Sequence, residues 1–292
     1  MPEHNYFACL IWKIAVLPRM FVGLALLLAV AACGRDLLAP VGKTITLETS
    51  ADFETVTVAG TLVLHGWDTA LHAQSLTVAP GGVLTHDGPV RSAETASRIV
   101  ITCRGTLSVA AGGRIDANGK GYAGGTGQAR NEDPASAGYG PGAGGYPKLF
   151  GASAGGSHGG RGGTPSAKDV TDVPDAPVQP GSGGGGGKGT GGAGGGVISL
   201  TAQSLCIDGA VSANGSDSAG YSWSAGGAGG SIVLRADTIA GRGLVTANGG
   251  SGTLYAGGGG GGRIAVTGHG RSDIRSRLPA GPTASVSRAL SS

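Results

Sequence analysis

The sequence predicts an all-β protein: coils of short strands forming a β-solenoid, joined by glycine-rich, polyproline-II-like segments. A β-sandwich is the alternative. Three observations predict this class. Apolar residues alternate with polar ones over short runs that Gly or Pro breaks at similar intervals, the pattern of strands and turns. Glycine fills 61 of 292 positions, yet charged residues make up only 13%, so the composition is not that of a highly charged disordered chain. A phrase also recurs, as Ile115-Asp-Ala-Asn-Gly119, Val211-Ser-Ala-Asn-Gly215 and Val245-Thr-Ala-Asn-Gly249, with Asn214 and Asn248 34 residues apart.

Residues 43–119 carry the first strands. Thr44–Glu48, Val56–Val58, Thr61–Leu64, Leu76–Val78, Ile99–Thr102, Gly105–Val109 and the Ile115 phrase alternate apolar with polar side chains. Ala59-Gly60, Pro80-Gly-Gly82 and Gly112-Gly113 stand between them as corners. In a solenoid each coil would turn one apolar row inward onto the coil above. Hairpins would give similar spacing, which keeps the sandwich open. Residues 191–268 carry the repeat. Val197–Leu200, Ser231–Leu234 and Arg263–Val266 are matching strands, and the first two are again 34 residues apart. Asn-Gly suits a tight turn with positive φ, and asparagines at matching turns can form a hydrogen-bonded ladder.

Each phrase leads to an aromatic residue and a glycine cluster: Tyr122-Ala-Gly-Gly125, Trp223-Ser-Ala-Gly-Gly227 and Tyr255-Ala-Gly-Gly258. Such clusters cannot be ordinary strands, because glycine has no side chain to pack a sheet. They are either flexible loops or extended segments packed side by side through backbone contacts; the repeat favours the packed form. Residues 120–190 read as a Gly/Pro-rich insertion within one repeat, a loop or mobile segment. Residues 269–292, without alternation, read as a disordered tail.

The start of the chain is an export segment. Lys13 and Arg19 form a positive flank before the apolar run from Phe21 to Ala32. The run is too short to span a bilayer, which takes about 20 residues. Met20 as a start would remove both positive residues, so the longer form is preferred. Val30-Ala31-Ala32-Cys33 resembles the lipobox of bacterial lipoproteins. The resemblance implies cleavage after Ala32 (signal peptide 1–32), a diacylglycerol on Cys33, and a membrane as partner. Residues 33–42 then read as a lipidated tether. Gly34 stands where an aspartate would favour inner-membrane retention, which points to the outer membrane. The glycine-rich region, from about Gly105 to Gly268, looks like the β-solenoid regions of bacterial surface proteins and adhesins, and like polyproline-II bundles of some phage tail adhesins. That likeness implies an adhesive, binding or structural role and transfers no functional residues.

Chemistry-bearing motifs are scarce. Gly187-Lys188 lacks the Ser or Thr of a phosphate loop, and no glycine cluster carries the Asp of a calcium nonapeptide repeat. His65, His72 and His86 show no metal-ligand spacing and read as surface or turn residues, so neither a metal nor a cofactor is expected. A net charge of +3 supplies no patch for nucleic acid. Asp116 and Asp208 are the carboxylates that stacking could bring together, as a polysaccharide-cleaving β-helix enzyme would need. No catalytic residue is assigned, and polysaccharide or another envelope protein is the expected ligand of the mature body. Cys103 and Cys206 remain after the leader and are either a disulfide or two separate thiols. Trp67, Tyr122, Tyr221, Trp223 and Tyr255 are candidates for stacking on sugar rings, or else caps on the glycine body.

Overall fold

A computed structural model describes residues 36–127, 136–146, 152–163 and 179–269, with the backbone of two further strands. The strands are β1 (Asp36–Ala39), β2 (Thr44–Leu47), β3 (Ala51–Val58), β4 (Thr61–Leu64), β5 (Leu71–Val78), β6 (Val83–His86), β7 (Ile99–Val109), β8 (Arg114–Asp116), β9 (Val197–Ile207), β10 (Ala210–Ser212), β11 (Ser231–Ala240), β12 (Leu244–Thr246), β13 (Arg263–His269), β14 (Arg275–Arg277) and β15 (Ser285–Ala289). Odd-numbered strands form an eight-stranded sheet and even-numbered strands a seven-stranded one, each in chain order. Every pairing between these strands is parallel, so none of them forms the hairpins that a sandwich of similar spacing would use. The chain therefore crosses from one sheet to the other and back, adding one layer each time.

Alternation along each strand, combined with parallel register, builds the core as columns. Leu62, Leu84, Ile115, Val211 and Val245 stack in the short-strand sheet. Leu71, Ile101, Leu200 and Leu234 stack in the long-strand sheet. All are buried, each contributing about 1.5–3 kcal/mol relative to an exposed side chain. The 34-residue repeat is one layer: Ile232 lies beside Ile198 and Leu244 beside Ala210. The insertion also falls within one layer, since Asp116 lies beside Ser212.

The long strands bend midway, and the register slips there. Ala73 and Leu76 of β5 face Cys103 and Leu107 of β7, one residue more. Burial changes phase at the same place: Leu71 and Ala73 point inward before the bend, Leu76 and Val78 after it. This phase change splits one strand into two apparent runs in the sequence. Ile99–Thr102 and Gly105–Val109 are one strand, β7.

The glycine clusters are ordered. Residues 225–230 show the arrangement. Ala225 and Ala228 N–H donate to Gly185 and Ser182 carbonyls, Gly226 and Gly229 to Gly257 and Gly260, and Gly227 and Gly230 to Ser216 and Ala213. Each partner segment recurs every three residues, which is the repeat of polyproline II geometry. The carbonyls of Ala225, Gly226 and Gly227 accept from Gly192, Gly156 and Gly250, so six neighbouring segments surround this one. A Cβ on Gly184 would collide with the backbone carbonyls of Ala225 and Gly226, neither of which can swing aside. The described parts of the insertion belong to this body: Gly183 donates to Tyr139, Gly185 to Ala154 and Gly260 to Gly156. These parts are therefore packed, not loops.

Two further expectations change, and the expected asparagine ladder forms. Asp36–Ala39 is an edge strand, so the segment expected as a tether is part of the long-strand sheet. Within the tail expected to be disordered, β14 pairs with β12 and β15 with β13. The asparagine ladder forms through the backbone: Asn214 N–H donates to Asn118 Oδ1 and Asn248 N–H to Asn214 Oδ1, each at 2.7 Å.

Candidate functional site

The repeat that aligns Tyr122, Trp223 and Tyr255 gives them different environments. Tyr122 is 7% exposed, and burial raises its phenol pKa. Gly140, at φ 96°, packs on its ring. Tyr122 is thus part of the core and unavailable for stacking on a ligand. Trp67 is half-buried beneath the Arg98 guanidinium, 4.5 Å from the ring centroid, and its carbonyl accepts from Arg98 Nε. Its ring face is occupied by protein.

The other three aromatics share one edge of the glycine body. Ser222 and Leu254 bridge in parallel, and Trp223 N–H donates to the Leu254 carbonyl. Trp223 and Tyr255 therefore lie one layer apart. Lys188 N–H donates to the Ser222 carbonyl, and its ammonium sits 4.7 Å from the Trp223 ring centroid. The row Lys188, Trp223, Tyr255 thus crosses three layers. Tyr221 is 83% exposed, Tyr255 71% and Leu254 56%.

The backbone singles out the same two aromatics. Among the described residues with φ in the left-handed region, nine are glycine. The only other two are Trp223 at 64° and Tyr255 at 66°. A left-handed L-residue costs roughly 1–2 kcal/mol, which glycine would avoid. In a chain this rich in glycine, a half-buried and an exposed aromatic on one edge occupy left-handed positions against local backbone preference, the kind of strain that clusters at functional sites.

The thiols and carboxylates find separate partners. Cys103 and Cys206 are both free thiols. Cys103 points into the core beside Ala202, and its Sγ donates to the Gln74 and Thr106 carbonyls at 3.2 Å. Cys206 lies four positions along β9 from Ala202, roughly 13 Å away, and is half-exposed beside Asp208, beyond the reach of a disulfide. Burial raises the pKa of both thiols, so neither is activated as a thiolate. Asp116 is level with Ser212 at one end of β10, and Asp208 precedes the other end. Asp116 accepts from the Asn118 N–H at 2.9 Å, and Asp208 from the Arg242 N–H at 3.1 Å. They are turn caps on opposite sides of β10 and do not form a pair.

The histidines also depart from expectation. His86 is fully buried. Its Nδ1 lies 2.6 Å from the Asp87 carbonyl and donates to it, leaving Nε2 to accept from Val197 N–H at 3.3 Å. Burial, helped by Lys120, lowers its pKa to about 4 against the favourable Asp87 contacts. His158, also buried, contacts Ser231 Oγ at 2.8 Å; burial and Arg263 lower its pKa to about 3. Each ring joins a strand start to the surrounding fold. Surface His65 has a raised pKa, chiefly through its contact with Asp87, with Glu48 nearby. Among the described residues no group of three or more His, Cys, Asp or Glu could hold a metal ion.

Sequence patterning gave no sign of a polar cleft of about 430 Å³ near the bend of the long-strand sheet, lined by Asp52, Phe53, Glu54, Ala73, Gln74 and Arg104. The cleft lies beside the register slip between β5 and β7, which has no local signature. Cys33 and the leader lie outside the described residues. No helix among the described residues is long and apolar enough to cross a membrane.

Fold and site together define a class: an all-β protein of two parallel sheets carrying a hydrogen-bonded glycine body with an aromatic edge. Comparison with protein-family models, curated proteins and solved structures finds no match.

Proposed function

We propose that this chain is an exported lipoprotein, held to the outer membrane through a diacylated Cys33, whose body is a non-catalytic binding module for polysaccharide of the cell envelope or surface. The body is read as a β-solenoid flanked by a polyproline-II glycine bundle. The alternation of strands between two parallel sheets and the three-residue recurrence of glycine partners support that reading. The observation that carries the binding role is Tyr255, left-handed and 71% exposed, on the same edge as Tyr221 at 83%, with the left-handed, half-buried Trp223 one layer away. Flat aromatic faces on a rigid base suit sugar rings: stacking needs little ordering of the protein, and the surrounding backbone is already fixed.

A polysaccharide-cleaving enzyme is the alternative, and the cleft bearing Asp52, Glu54 and Arg104 is the observation that favours it. One experiment separates the two. The purified body, lacking the lipid, is passed over a panel of immobilised polysaccharides, with retention and chain length scored on the same samples. Retention without shortening, lost in Trp223→Ala and Tyr255→Ala, is the expected result. Shortening of the chains would overturn the binding reading in favour of the cleft. No retention on any polysaccharide would leave the body a structural spacer.

A further inference from the structure

The chain becomes ordered close to its proposed anchor. Only Gly34 and Arg35 separate Cys33 from β1, the terminal strand of the long-strand sheet. Whatever their conformation, three Cα–Cα steps span at most about 11 Å. That leaves no room for a flexible stalk. Among the described residues β1 pairs only with β3, and β2 only with β4, so within them the first layer presents one row of unpaired backbone N–H and C=O groups on each sheet. Open edges of this kind recruit other strands unless something covers them. Around this edge, Leu38 is 57% and Val41 79% exposed, with Lys43 exposed beside the turn. This mixture of backbone polarity, apolar side chains and charges of both signs, Lys43 and Asp36, matches a zwitterionic headgroup region better than water or hydrocarbon alone.

We infer that the first layer, β1 with β2 and the turn at Val41, seats directly on the lipid headgroups and holds the stack upright, with its layers rising away from the bilayer. This rests on the proposed lipidation of Cys33. The occupant of the open edge is a lipid surface. Strand pairing at roughly 4.8 Å per layer then sets the heights. The stack from β1 to β15 rises seven layer steps, about 34 Å. Trp67, between β4 and β5, stands about 5–10 Å above the first layer, and Trp223, between β10 and β11, about 19–24 Å above it. The aromatic edge would therefore be displayed toward whatever lies beyond the membrane. The anchor would also shield the edge most exposed to strand pairing with other chains.

Trp67 and Trp223 are the only tryptophans after Cys33, so they report the two heights directly. The full-length lipoprotein is reconstituted into phosphatidylcholine vesicles carrying a fraction of dansylated headgroups. Energy transfer is measured for wild type and Trp223→Phe, with Trp67→Phe as the complementary variant. The expected result is several-fold stronger transfer from Trp67 than from Trp223. Equal transfer from both would overturn the upright seat, because a flexible or recumbent body averages the two heights. If Trp67→Phe fails to fold, subtraction of the Trp223→Phe signal from wild type still gives both values. The mass of the N-terminal peptide reports acylation separately. An unmodified Cys33 would overturn the lipoprotein reading and the seat with it, whereas acylation with equal transfer overturns the seat alone.

Discussion

At Trp223 and Tyr255 the preferences of backbone and side chain oppose each other. Glycine at either position would relieve about 1–2 kcal/mol of left-handed strain and restore roughly 0.5–1 kcal/mol of chain entropy cost. Trp223, half-buried, also forfeits its Lys188 contact on substitution, worth about 0.5–1 kcal/mol. Tyr255→Gly should therefore leave stability unchanged or raise it by up to about 1 kcal/mol, and Trp223→Gly should be near neutral, while both lose polysaccharide retention. Tyr122→Ala, which empties a buried site, should cost about 3 kcal/mol or more. Urea midpoints for the three variants check this. Destabilisation of Tyr255→Gly comparable to that of Tyr122→Ala would mean the edge is a structural cap. The sequence could not separate these residues, because all three stand before the same Ala-Gly-Gly motif or its close variant. What differs is cover: part of the insertion, through Gly140, lies over Tyr122. That contact depends on chain far from the phrase.

At the scale of elements, strands and glycine segments obey different packing rules. A strand needs side chains to fill its columns. A glycine segment needs their absence, because six neighbours approach its backbone. The requirement varies from one glycine to the next. A Cβ on Gly258 would find only the Gly250 carbonyl, at 3.5 Å, an ordinary contact. A Cβ on Gly259 would overlap the carbonyl of Gly227, which is fixed in the bundle. Gly258→Ala should thus lie within about 0.5 kcal/mol of wild type, and Gly259→Ala should lose about 3 kcal/mol or more. Denaturant midpoints of the two single variants decide it; equal tolerance would mean the bundle is loosely packed. The existence and order of these elements were legible in the repeated phrases and the 34-residue spacing. Their lengths were not, since the inward phase of β5 changes at the bend and breaks the period-two signal. β1 was missed for a related reason: four residues beside an apolar leader show too little alternation to stand out.

At the scale of the whole molecule, the layered stack and its glycine body are held together at two places by neutral histidines. His86, at the end of β6, receives the N–H of Val197 where the chain leaves the bundle for β9. His158, in the insertion, meets Ser231 at the start of β11. Neither role is legible in the sequence, since burial here depends on which segments the fold brings over each ring. Their folded pKa values, about 4 and about 3, lie below the ordinary histidine value of 6.5. Between those limits the unfolded chain binds more protons than the folded one, so stability falls as pH falls. The contribution is complete above pH 6.5 and is lost progressively as pH falls through about 4 for His86 and about 3 for His158. Converted by linkage, the shifts amount to about 3 kcal/mol for His86 and about 5 kcal/mol for His158. His65 works in the opposite sense, losing its contribution as pH rises, but it is exposed and solvent screening leaves little of that effect. Urea midpoints should therefore drop steeply from pH 7.5 to pH 5, with as much as about 4 kcal/mol lost by pH 5 from the two buried rings. Glutamine at each position keeps a hydrogen-bonding group without a proton to gain. A His86→Gln, His158→Gln double variant should be flatter across that window while remaining folded at pH 7.5. An unchanged slope in the double variant would show that other groups carry the acid sensitivity and that the two histidines do not clasp the body to the stack.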